Sequence, residues 1–132
     1  MLRHGGVKKR GVELTVEQKT ESEIISRALL TIGVMPNKKG FAYLIDAITI
    51  YSHGAKDMQS VYAEISERYG VTSSSVDRCI RTSLGSLRVI STCEKINSLM
   101  NMPAIDASTT LTCRSFVALL AEYLRYQDMF RS

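Results

Sequence analysis

Apolar positions recur at spacings of three and four along most of this chain, most clearly over residues 57–84. Met58, Val61, Tyr62, Ile65 and Tyr69 fall on one stripe of a helix. Gly70 follows at once, where a helix end wants a residue free to take positive φ. Val71 is apolar and is predicted to plug the corner. Thr72 suits the N-cap of the next helix, because its hydroxyl can accept a hydrogen bond from a free backbone N–H. Val76, Ile80 and Leu84 repeat every four residues as a second buried stripe, opposite Ser74, Asp77, Arg78 and Arg81. Two short helices, a glycine turn and a polar outer face on the second helix have the form of a helix-turn-helix. In that motif the second helix enters the DNA major groove and reads base edges with its N-terminal residues. The same hairpin occurs in all-α proteins that never touch DNA, so the pattern alone leaves both readings open.

The flanking segments predict four more helices. Ile25, Ala28, Leu29 and Ile32 give a helix from about Glu21 to Ile32, with Thr20 and Glu23 as a capping box and Gly33 as its stop. Asn37 is the expected N-cap of a second helix to about Tyr51. Its stripe is Phe41, Leu44, Ile45 and Ile48, widened by Ala42, Ala47 and Ile50, which predicts a central, well-buried helix. Lys38 and Lys39 fall in its first turn, where the helix dipole disfavours cations. That placement suits an external anion such as a phosphate, against the plainer reading of two solvated lysines. Leu87 and Arg88 keep the period of the fourth helix past Leu84, although Gly85 weakens it by about 1 kcal/mol relative to Ala. A fifth helix is expected from about Cys93 to Met100, followed by a polar loop over 101–111. Thr112 is the expected cap of the last helix, which runs to about Tyr126 on Phe116, Leu119, Leu120, Tyr123 and Leu124. Tyr126, Met129 and Phe130 prolong the apolar surface, which then either packs on its own domain or offers a dimer or partner surface.

Composition narrows the class. A chain of 132 residues with 45% hydrophobic and 23% charged residues is one ordinary globular domain. No apolar run approaches the ~18–20 residues needed to cross a bilayer, and no secretory signal is recognisable at the N-terminus. Cys79, Cys93 and Cys113 are odd in number and far apart, so they are expected to be reduced thiols, two of them core fillers, rather than zinc ligands. The net charge is +4, but four of the seventeen basic residues, Arg3, Lys8, Lys9 and Arg10, lie in the first ten positions. The remaining thirteen are matched by thirteen acids. Residues 1–19 therefore read as a flexible basic arm or linker, and 20–132 as the helical domain. The body is formally neutral, so any DNA-facing surface must come from local segregation of charge.

Ile32-Gly33-Val34, Lys39-Gly40-Phe41, Tyr43-Leu44 and Asp46-Ala47-Ile48 form a familiar series. It continues with Tyr69, Thr72, Ser74, Val76-Asp77-Arg78, Ile80-Arg81, Phe116, Ala118, Ala121 and Leu124. In these residues the chain resembles the C-terminal DNA-binding effector domain of the master sporulation response regulator, stage-zero sporulation protein A. The resemblance implies a compact six-helix, all-α domain with the helix-turn-helix in the third and fourth helices. It also implies binding to a short promoter element and control of transcription through RNA polymerase. The family reads DNA through an Arg-x-acid-Arg pattern, which falls here on Ser75, Asp77 and Arg78. Arg78 retains a possible bidentate contact to guanine, and Asp77 can accept from cytosine N4. Ser75 lacks the arginine fork. The family's lysines before the last helix are replaced by Ser108, Thr109 and Thr110. The family's receiver domain is not encoded in the nineteen arm residues, which implies either a fragment or a stand-alone effector.

The expected function is a sequence-specific transcription regulator in the cytoplasm, without cofactor or metal. Ser74, Ser75, Asp77 and Arg78 are the expected base readers, starting near Ser73. Lys38, Lys39, Thr72, Ser73 and Arg81 are the expected phosphate contacts, with Thr72 acting chiefly as the cap that presents the helix N-terminus. Double-stranded promoter DNA is the partner, RNA polymerase a second, and a second copy through the last helix a third. The competing class is an interaction module of the same fold that no longer reads DNA, favoured by the neutral body, Ser75 and the 108–110 loop. An enzyme is the poorest fit: His4 and His53 are isolated from nucleophiles, and no glycine-rich phosphate loop precedes a helix.

Overall fold

In the computed structural model, the described residues are 8–9, 12–13, 16–55, 57–106, 108 and 111–131. Six helices carry the fold: α1 (Val16–Ile32), α2 (Lys39–Ser52), α3 (Met58–Tyr69), α4 (Ser73–Gly85), α5 (Val89–Met100) and α6 (Cys113–Arg131). The expected all-α class holds. A small antiparallel pair, β1 (Lys8–Lys9) with β2 (Val12–Glu13), precedes α1.

The broad apolar surface of α2 makes it the hub, as its sequence predicts. It packs against α1, α3, α4 and α6. Leu44, Ala47 and Ile48 are fully buried on it, and they meet Leu29 of α1, Val61 and Ile65 of α3, Val76 and Ile80 of α4, and Phe116 and Val117 of α6 in one core. Burying the Leu, Ile, Val and Phe side chains among them stabilises the fold by about 1.5–3 kcal/mol each.

Several boundaries differ from the periodicity. α1 begins at Val16, so Thr20 and Glu23 lie inside the helix rather than forming its capping box. α2 takes Lys38 as its N-cap, with no side-chain cap bond, in place of Asn37. α5 begins at Val89, one residue after Arg88, so Leu87 and Arg88 form the link between α4 and α5 rather than an extension of α4. The third member of the α4 stripe also shifts: Ser83 is buried, while Leu84 is half-buried. Gly40 explains the shift. A Cβ there would collide with Ser83 Oγ, Ser83 Cβ and the Cys79 carbonyl, so α2 crosses α4 at backbone distance. Of the cysteines, Cys93 is buried and Cys79 and Cys113 are half-buried, all three as free thiols. The side chains of Met129 and Phe130, and residues Thr109 and Thr110, lie outside the described residues.

Candidate nucleic-acid interface

The junction of α3 and α4 is fixed at both ends. Asp57 caps α3 by accepting from the Ser60 N–H at 2.8 Å. Gly70 closes α3 in the left-handed conformation, at φ 68° and ψ 35°, which glycine adopts without steric cost. The Val71 N–H then bonds the Ser66 carbonyl at 3.0 Å. Thr72 caps α4 as expected, its hydroxyl accepting from the Ser75 N–H at 3.0 Å.

The same junction is tied to α2. The Tyr69 hydroxyl donates to the buried Asp46 carboxylate at 2.6 Å, and Arg68 stands 3.4 Å from Asp46. The Tyr69 ring meets Tyr43 edge to face, with centroids 5.1 Å apart. Burial, and then the bonded Asp46 carboxylate, push the Tyr69 phenol pKa upward, so this residue stays a donor. Asp46 and Tyr69 both belong to the series that carried the family resemblance, and the fold joins them by this hydrogen bond.

At about 100° per residue, α4 presents three sides around its buried edge of Val76 and Ile80. Ser74, Arg78 and Thr82 point outward, and all three are exposed. Ser73, Asp77 and Arg81 form one flank. Cys79 and Ser83 form the opposite flank, against Gly40. Ser75 is half-buried between the outer face and this second flank. Lys38 and Lys39, both exposed, immediately precede Gly40 and so stand beside the second flank.

On the first flank Asp77 and Arg81 are not independent. Arg81 Nε donates to Asp77 Oδ2 at 2.8 Å, and the Asp77 side chain is 30% exposed. The Asp77 carboxylate raises the Arg81 pKa further. Tyr62 of α3 lies beneath this pair; burial first, then Cys113 and Asp77 beside its hydroxyl, push its pKa upward. Ser73, Ser74, Asp77 and Arg81 share an open groove with the α3 cap Asp57, with Ser60 and Tyr62 of α3 and with Arg114 of α6.

Arg114 is the residue that the sequence pattern missed. It is exposed in the first turn of α6, more than thirty residues from its groove neighbours in the chain. His53, read as isolated from nucleophiles, pairs with Glu21 of α1 at 3.0 Å. Among the described residues, no group of three or more His, Cys, Asp or Glu could hold a metal ion, and no helix is long and apolar enough to cross a membrane.

The family model for the sporulation initiation factor Spo0A C terminal matches residues 25–124. The chain belongs to that family. The match runs from α1 into α6 and includes every expected site residue and Arg114. The family is one of DNA-binding effector domains of sporulation response regulators, which act in transcription regulation, and not a family of enzymes.

Proposed function

We propose that this Spo0A-type effector domain recognises a short promoter element by laying the N-terminal half of α4 in the major groove. The observation that carries the reading is the division of α4 into a fully buried edge and a solvent face of Ser74 and Arg78, presented by a capped and anchored junction. Arg78 supplies the bidentate donor for guanine. Ser74 and Ser75 bond base edges. Asp77 keeps its bond to Arg81 and still has acceptor positions for cytosine N4, since a carboxylate offers about four lone-pair sites. Lys38, Lys39, Ser73 and Arg81 take phosphates, and Thr72 holds the N-terminal turn that faces the backbone. RNA polymerase and a second copy through α6 are the further partners this role calls for, and the cytoplasm is its compartment.

Selection from randomised duplex DNA at fixed salt tests the reading. An enriched motif that loses one position in Arg78→Ala supports it. A motif indifferent to Arg78→Ala refutes the assignment of α4 as the reader.

The second reading is an interaction module. It is favoured by Leu30, Met35, Ile90 and Met102, apolar side chains that are at least half exposed. Absence of any enriched motif, together with a tight dimer in size-exclusion chromatography, would select it.

A further inference from the structure

The structure places an exposed cation, Arg114, in the first turn of α6. Arg114 lines the groove beside Ser73, Ser74 and Arg81. Its position is built rather than incidental. Thr72 and Thr112 cap their helices alike: the Thr112 hydroxyl accepts from the Ser115 N–H at 3.0 Å, and the Thr112 carbonyl accepts from the Phe116 N–H at 2.9 Å. Phe116 is fully buried in the core. Upstream, the Asn97 amide holds both the N–H and the carbonyl of Ile105, at 3.0 and 2.8 Å, and so pins the loop to α5. Cys113 adds a third tie, since its thiol lies beside the Tyr62 hydroxyl and the charges of Asp77 and Arg81.

The charges in the groove leave Arg114 available. Asp77 is bonded by Arg81, and Asp57 is bonded by the Ser60 N–H and hydroxyl at 2.8 and 3.1 Å. Among the described residues Arg114 makes no ion pair, although it is exposed to the same solvent. It stands on the Asp77–Arg81 flank of α4, whereas Lys38 and Lys39 stand by the Cys79–Ser83 flank, where Gly40 crosses. The outward face of Ser74 and Arg78 lies between. The major groove is about 12 Å wide and is bordered by one phosphate backbone on each side. A helix in that groove with cations on both flanks meets both strands.

We infer that Arg114 binds a DNA backbone phosphodiester on the strand opposite the one bound by Lys38 and Lys39, completing a two-sided clamp across the major groove. The inference rests on the reading of α4 proposed above. It assigns a binding role to a residue of α6 and makes α6 part of the DNA surface as well as of the core.

The test uses the whole chain, the selected duplex, and a set of duplexes in which single phosphates are replaced by neutral methylphosphonates. Each phosphate contact contributes about 0.9 to the slope of log affinity against log salt. Arg114→Gln is expected to lower that slope by about 0.9, so that between 50 and 200 mM salt it loses roughly 3- to 4-fold less affinity than the parent chain. It should leave the selected motif unchanged and become indifferent to one methylphosphonate position. Lys39→Gln should become indifferent to a position on the other strand. Arg114→Lys, which keeps the charge, should retain the parental slope. An unchanged slope in Arg114→Gln, or both variants losing sensitivity on one strand, overturns the clamp. Arg78→Ala separates the two ideas: if it fails to alter the motif while Arg114→Gln behaves as stated, the reading of α4 falls and the phosphate contact stands. A chain that binds no duplex at low salt overturns both.

Discussion

Val76 and Ile80 on the inner side of α4 have no solvent contact, and Gly40 approaches Ser83 and the Cys79 carbonyl so closely that one added methyl group would collide. On the outer side, Ser74, Arg78 and Thr82 stand in solvent, and the neighbouring Asp77–Arg81 bond joins two partly exposed side chains. The inner side is specified by shape and the outer side by charge. A substitution on one side should therefore report on stability and on the other side on DNA, with little crossover between them. That separation lets a single helix be a core element and, in the proposed reading, a reader as well.

The largest effect belongs to the inner side. Ile80→Ala removes a fully buried side chain and should cost about 2–5 kcal/mol. Gly40→Ala inserts a Cβ against backbone and should cost about 1–3 kcal/mol. Urea midpoints at unchanged slope measure both. If Gly40→Ala is neutral, the two helices can separate cheaply and the close crossing does not fix Lys38 and Lys39.

The junction comes next, because it joins the two sides. Tyr69→Phe leaves the buried Asp46 carboxylate without its hydroxyl donor, at about 1–3 kcal/mol. A pH series probes the same bond. The phenols of Tyr62 and Tyr69 are raised, chiefly by burial, above the value of about 10 expected in the unfolded chain. Above that pH the unfolded state has lost protons that the native state retains, so stability falls as pH rises. Below it, these tyrosines contribute no slope. Tyr62→Phe and Tyr69→Phe should each flatten the alkaline decline. A decline as steep as in the parent chain would show that neither hydroxyl is held neutral by the fold.

Thr72→Ala should cost about 0.5–2 kcal/mol through loss of the bond to the Ser75 N–H. It should also loosen the first turn of α4, and so weaken DNA binding more than its stability loss predicts. This is the one substitution expected to register on both sides of the comparison.

The local parts of this design were legible in the residues. The stripe of Val76 and Ile80, the left-handed Gly70 and the Thr72 and Thr112 caps depend only on neighbours within a turn or two. What depended on distant packing was not legible. Ser83 rather than Leu84 completes the buried edge of α4 because Gly40, some forty positions earlier, crosses there. Asp46 breaks the apolar pattern of α2, and its burial makes sense only beside Tyr69 and Arg68. Arg114 was not singled out by its sequence neighbourhood, and only the packing of α6 brings it to the groove of Ser73, Ser74 and Arg81.

The smallest expected effect on stability is at the outer ion pair, and it separates the two sides most sharply. Asp77→Asn breaks the bond to Arg81 but leaves the core untouched, and a solvent-exposed pair of this kind contributes little to folding. The urea midpoint should stay where it is. DNA binding should change in two ways at once. Arg81 regains a charge free of its partner, so affinity for random duplex rises and its salt dependence steepens. In the proposed reading the acceptor offered to cytosine N4 is replaced by an amide that can also donate, so preference weakens at the base pair assigned to Asp77. A midpoint that falls while DNA behaviour stays constant would turn the result around: the Asp77–Arg81 pair, with Tyr62 beneath it, would belong to the structure of the inner side, and the reading face would be narrowed to Ser74, Ser75 and Arg78.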